Sequence, residues 1–208
     1  MTATAPINFA STDDTEELAR AELYGLLARL WLAPPDAELL QQFAVAVTQA
    51  PEAGAHLEEP WMQLVGALRA TTVEAAAAEH EALFHGVGKP EVFAYGSYYL
   101  TGFLNEKPLA ALRTDLLDLG LTRDPLRAET EDHVSYVFEV MRYLIAGDDV
   151  AVANLTRQKE FFGTQVQPWA AKMCDAIGRH PKAKFYAAVA EFTRAFLSVE
   201  AQGFDMLD

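Results

Sequence analysis

Apolar residues along this chain recur at three- and four-residue steps, and no run alternates apolar with polar residues over strand length. The first stripe is Leu18, Leu23, Leu26, Leu27 and Leu30, with Ser11 or Thr12 as the helix cap. Asp13, Asp14, Glu16 and Glu17 suit the positive end of that helix dipole. Pro34-Pro35 ends it, and Asp36 is placed to cap a second helix carrying Leu39, Leu40 and Phe43. A turn from Ala50 to Pro60 leads to a helix from Trp61 to about Ala70, and the alanines at 75–78 predict one running through Phe84.

In the second half, Ser97 is expected to cap a short helix bearing Tyr98, Tyr99 and Leu100. Lys107-Pro108 opens a helix with Leu109, Leu112, Leu116, Leu117 and Leu119, and Gly120 fits its C-terminal cap. A helix is predicted from Glu129 to about Ala146, stopped by Gly147. Residues 150–178 form one long helix or two interrupted near Gly163 to Pro168. Pro181 opens the last helix, with Phe185, Tyr186, Val189, Phe192, Phe196 and Val199 along one face. The pattern predicts an all-α chain, one large domain or two small ones, behind a flexible tail at 1–12. The linker at 121–128, with Asp124-Pro125 and two arginines, has the composition of a hinge.

One segment breaks the helical rule. From Glu81 to Leu100 the spacing begins helical, stops at Gly86, Gly88 and Pro90, and then brings Phe93, Tyr95, Tyr98 and Tyr99 close together. A core helix would not tolerate the break, and an ordinary surface loop would not carry so much aromatic area. Such a segment suits the presentation of an apolar surface. Some of these rings, with Phe84, are expected to fill the core between helices instead, at least two of the five.

Composition narrows the partner. A hydrophobic content of 51% with 22% charged residues marks a globular chain. The net charge of -14 argues against nucleic acid, whose phosphates need a basic face, and suits steering of a basic partner. Cys174 is the one cysteine and lies in an apolar helical register, as a buried inert thiol would. The residues from Met1 to Asp14 show neither the basic nor the apolar part of a secretory signal, and no apolar run reaches the length of a membrane span. These features predict a cytoplasmic location.

Catalytic signatures are weak. A zinc protease needs two histidines at i and i+4 flanking a glutamate, but after His80-Glu81 the next histidine is His85. Di-iron bundles need paired Glu-x-x-His motifs, whereas Glu129 and His133 stand four apart with no second copy. The helical phosphohydrolases need several histidines and a His-Asp pair, and here the order is Asp132-His133. Gly86-Val-Gly88-Lys89 lacks the spacing of a phosphate loop. Beside Glu129, Glu131 and Asp132, His133 is expected to have a raised pKa. The cluster has two readings: a helix-capping group, or a polar clamp beside an apolar groove.

Two motifs carry a resemblance to a known family. Leu83-Phe84, a glycine-bearing loop and Tyr95-Gly96-Ser97-Tyr98-Tyr99-Leu100 resemble the first motif of the TorD/DmsD/NarJ chaperones, and Glu129-x-x-Asp132-His133 is similar to their second. Tyr24 to Leu30 before Pro34-Pro35-Asp36, and Phe162 with Pro168-Trp169 before Phe185-Tyr186, extend the likeness over residues 16–203. Three positions depart from relatives such as DmsD: Ala94 stands for proline, Tyr95 for tryptophan and Thr130 for proline. The resemblance implies a single helical-bundle domain over residues 13–208, acting as a non-enzymatic chaperone without cofactor or metal. It would bind the twin-arginine signal peptide and/or the apo catalytic subunit of a molybdenum or tungsten oxidoreductase and assist cofactor insertion before export or assembly. It implies peptide-binding residues Leu83, Phe84, Tyr95, Gly96, Ser97, Tyr99, Asp132 and His133, with Asp132 supplying charge for an arginine. It also implies a monomer or a homodimer, domain-swapped in some members through the hinge. A metal-dependent helical hydrolase and a purely structural or oligomerisation protein are the alternatives.

Overall fold

The structure, a computed structural model, describes residues 12–45, 55–86 and 89–206. Of the expected N-terminal tail it describes Thr12 alone, and the Ser11 cap and residues 50–54 of the expected turn also lie outside the described residues. Among the described residues there are ten α-helices and no strand longer than an isolated bridge. The fold is all-α, as the spacing of apolar positions predicts.

Two long helices organise the bundle. α1 (Thr12–Leu32) lies along α7 (Val134–Ala146), while α10 (Phe185–Asp205) packs on α3 (Ala55–Ala70) and α9 (Ala170–Gly178). Tyr24 joins the two halves, its ring 5.6 Å from Phe138 and 4.8 Å from Phe196 in edge-on contact. Burial of each such ring contributes about 1.5–3 kcal/mol. Its hydroxyl donates to Glu200 at 3.1 Å, and Arg20 grips the same carboxylate with two bonds of 2.8 Å. Taking these charges out of water is costly, so the pair fixes how α1 meets α10 more than it adds stability. Trp31 closes the other end, its indole N–H donating to Thr193 Oγ1 at 3.2 Å.

The remaining helices follow local signals. Asp36 caps α2 (Ala37–Val45), accepting from Leu39 N at 2.8 Å. Thr72 caps α4 (Val73–His80), accepting from Ala75 N. Pro108 sits in the first turn of α6 (Lys107–Asp118), and Gly120 follows it at φ +72, a value glycine adopts without strain. Asn154 caps α8 (Leu155–Phe161). Cys174 is buried on α9, and burial pushes its thiol well above the ordinary range, consistent with an inert core residue.

Several expectations need correction. Leu18 is 56% exposed. It lies nine residues before Leu27, which at about 100° per residue is the opposite side of α1. Leu117 is exposed for a similar reason, off the face of Leu109, Leu112 and Leu116. α3 begins at Ala55 and contains Pro60, because Leu57, Trp61, Leu64 and Leu68 make one buried stripe that outweighs a lost backbone bond. α7 begins at Val134, not Glu129, and α10 at Phe185, not Pro181. Residues 150–178 resolve into α8 and α9, parted by a wide turn at Phe162–Val166 with i+5 bonding. Residues 121–128 are irregular and solvent-facing. Arg123 there donates to the carbonyl of Arg127 at 2.6 Å, and Asp124 accepts from Leu126 N at 2.9 Å.

Candidate functional site

The site is assembled from the break in the helical pattern. α4 runs into a π-helical turn over Glu81–His85, closed by Gly86 N donating to the Glu81 carbonyl at 3.0 Å. Such turns insert one residue and re-aim the side chains around it. Leu83 becomes fully buried, whereas Phe84 is half-buried among Trp31, His80 and Tyr186. Gly86 is required here: its φ is +42, and a Cβ would stand 2.7 Å from the Lys89 carbonyl oxygen. Val92 N then donates back to the Leu83 carbonyl at 3.0 Å, which returns the chain to the π turn.

Residues 94–96 next pair with residues 132–134. Gly96 N donates to the Asp132 carbonyl at 2.9 Å, and Val134 N to the Ala94 carbonyl at 2.8 Å, making an antiparallel bridge between Tyr95 and His133. The two motifs that are far apart in sequence thus share one backbone junction.

Asp132 holds that junction from inside. It is 3% exposed. One carboxylate oxygen accepts from Ser97 N at 2.9 Å and the other from Thr130 Oγ1 at 2.7 Å. The residue ahead of α7 therefore caps α5 (Gly96–Thr101), whose own N-cap, Tyr95, makes no side-chain cap bond. This corrects the expectation that Ser97 caps the helix. Ser97 lies inside α5, 1% exposed, and contributes its backbone N–H while its hydroxyl has no partner among the described residues. Asp132 is enclosed, and each of its carboxylate oxygens accepts one hydrogen bond from the chain itself. Thr130 has a use where a proline would have none, since its hydroxyl is the donor to Asp132.

His133 is the N-cap of α7, with Nδ1 accepting from Ser135 N at 3.3 Å. Its pKa is lowered to about 4, opposite to the expected direction. Burial is the largest cause; Glu129 and Asp132 act to raise it, but less strongly. The imidazole is neutral at pH 7. Burial likewise lowers His80 to about 4, with His85 and His133 adding to the effect. His80 and His85 stand ring to ring at 5.1 Å, yet no group of three or more His, Cys, Asp or Glu among the described residues is arranged to hold a metal ion.

Aromatic rings form the outer face. Tyr95 sets its ring edge-on to His133 at 5.1 Å and donates its hydroxyl to the Glu129 carboxylate. Burial and that carboxylate push the phenol well above its usual pKa, and burial does the same for Tyr99. Tyr99 stacks on Trp169 at 6.2 Å, and Gly96 makes room for the indole, since a Cβ there would lie 3.0 Å from it. Phe93 packs on Tyr98 at 4.2 Å. Phe84 and Tyr99 pack against the core, in line with the expectation that at least two of the five rings would. All five remain half-buried, and the apolar surface continues through the exposed Leu100, Phe103 and Leu104.

Sequence reasoning passed over Trp169 and Glu129 as site residues. Each carried a signal: Trp169 follows Pro168 in the pattern already noted, and Glu129 opens the second motif. What linked them to the site, a close approach to Gly96 and a bond to Tyr95, is tertiary.

An all-helical bundle that joins these two motifs and leaves their aromatic rings half-buried has the form of a maturation chaperone of the TorD/NarJ type. Residues 50–175, more than half of the chain and inclusive of both motifs, match the family model described as Nitrate reductase delta subunit. The chain belongs to that family, whose members are chaperones that bind the catalytic subunits of molybdoenzymes. No helix among the described residues is long and apolar enough to cross a membrane.

Proposed function

We propose that this chain acts in the cytoplasm as a non-enzymatic chaperone for the apo catalytic subunit of a molybdenum or tungsten oxidoreductase. It binds the subunit's twin-arginine signal peptide and releases it once the cofactor has been inserted. The observation that carries this reading is the bridge between Tyr95 and His133, around which half-exposed aromatic rings gather. Phe84, Tyr95 and Tyr99, the half-buried residues of the set, meet the peptide. Leu83, Gly96, Ser97, Asp132 and His133, all buried, shape the surface beneath them.

A twin-arginine peptide has a basic end and an apolar, helix-prone stretch, and the apolar stretch would lie across the rings. Burying about 400 Å² of apolar surface would offer roughly 10 kcal/mol gross. Ordering the peptide and fixing its position consume much of this, which puts the affinity at about micromolar to nanomolar. The test is calorimetric titration with a twin-arginine signal peptide, its twin-lysine variant and an unrelated secretory signal peptide. Binding of the first, weakened by Tyr95→Ala, is the expected result. Equal binding of all three, or of none, would contradict the reading.

A further inference from the structure

We infer that Glu129 is the specificity-determining carboxylate of this surface, the group that receives a guanidinium from the bound peptide. The inference rests on the peptide-binding reading above and assigns its cation contact to a different residue from the one the motif suggests.

The second motif holds three acidic residues, and the structure gives each a different task. Asp132 is enclosed, with both oxygens bonded to Ser97 N and Thr130 Oγ1. Glu131 is gripped by Arg113 through two bonds of 3.0 and 2.8 Å, and that guanidinium holds its carboxyl below the usual range. Glu129 is half-buried and accepts from the Tyr95 hydroxyl through one oxygen, and it joins none of the ion pairs of the described residues. A half-buried carboxylate with only a neutral donor is under-compensated, and a guanidinium can supply two parallel N–H bonds to it.

The neighbours favour arginine over lysine. The half-buried ring of Tyr95, whose hydroxyl bonds Glu129, packs edge-on against His133, so its own faces stand beside the carboxylate. A planar guanidinium stacks on such faces, and an ammonium does so less well. Both buried histidines nearby are neutral at pH 7, so neither competes for the negative charge. The linker arginines are engaged elsewhere, Arg123 on the carbonyls of Arg127 and Ala128, and Arg127 with Asp124 at 3.7 Å.

The experiment uses the full chain and three synthetic peptides that share one apolar helix-forming stretch and begin with Arg-Arg, Lys-Lys or citrulline-citrulline. For the unaltered chain, Arg-Arg should bind about ten-fold or more tightly than citrulline-citrulline, the difference one charge-assisted pair makes. In Glu129→Gln that preference should collapse to about two-fold or less, with unchanged thermal unfolding. In Asp132→Asn the preference should persist while affinity for all three falls together. Retention of the arginine preference in Glu129→Gln, or its selective loss in Asp132→Asn, would overturn the inference. If the unaltered chain binds no peptide, the peptide-binding reading itself fails.

Discussion

At the residue scale, the acidic motif divides labour by burial. Asp132 acts on the chain's own backbone, capping α5 through Ser97 N, 35 positions upstream. Asp132→Ala leaves Ser97 N and Thr130 Oγ1 without their acceptor and should lower stability by about 1–3 kcal/mol. Urea unfolding measures this, and an unchanged midpoint would show that the cap carries no weight. Gly96→Ala should displace Trp169 from Tyr99 at a cost of about 1–3 kcal/mol, because a Cβ placed 3.0 Å from the indole forces a shift. A loss of near-ultraviolet circular dichroism from the stacked pair would report it.

The buried histidines give a pH signature of definite sign. His80 and His133 fall from 6.5 to about 4 in the folded chain, so between those values the unfolded chain binds more protons. Their contribution is therefore fully present above pH 6.5 and is lost as pH falls towards 4. Unfolding midpoints should drop across that window, and His133→Gln should flatten the drop. A midpoint independent of pH from 7 to 4 would contradict the burial argument. The sequence named His133 but misjudged its direction, because neighbouring carboxylates are visible in a sequence and desolvation is not.

At the element scale, helix ends are tied by side chains from other helices. Glu79 on α4 accepts from Lys184 N, Phe185 N and Tyr186 N at 2.8, 3.1 and 2.8 Å, capping α10 as Asp132 caps α5. Glu79→Ala should cost about 2 kcal/mol and loosen the start of α10, which hydrogen exchange at 185–188 would detect. Local signals such as Pro34-Pro35, Asp36, Lys107-Pro108 and Gly120 placed their helix ends well. The starts of α5 and α10 were misplaced because their caps come from elsewhere in the chain, and that of α7 because residues 132–134 are drawn into the bridge with residues 94–96 and His133 is its cap. The π turn at Glu81–His85 was legible as a break at Gly86, not as a widened turn, since its extra residue leaves no mark on composition.

At the scale of the whole molecule, apolar spacing made the all-α bundle legible, and two short motifs made its family legible. The junction that brings them together was not, because bonds between residues 94–96 and 132–134 depend on how α1, α7 and α9 pack. The acidic balance of -14 adds a long-range term to any encounter with a basic peptide. Association of the twin-arginine peptide should therefore slow by about ten-fold between low and high salt, with dissociation changing less. Stopped-flow fluorescence from the tyrosines and Trp169 would separate the two rates. Salt-independent association would remove steering from the account.

The most direct test of the central claim is a hydrogen-exchange footprint of the chain with and without the twin-arginine peptide. Protection should appear at 83–86, 92–101 and 129–136, the segments that meet at the bridge between Tyr95 and His133. Protection confined to α9 and α10, with these segments unchanged while the peptide is bound, would place recognition elsewhere and contradict the account.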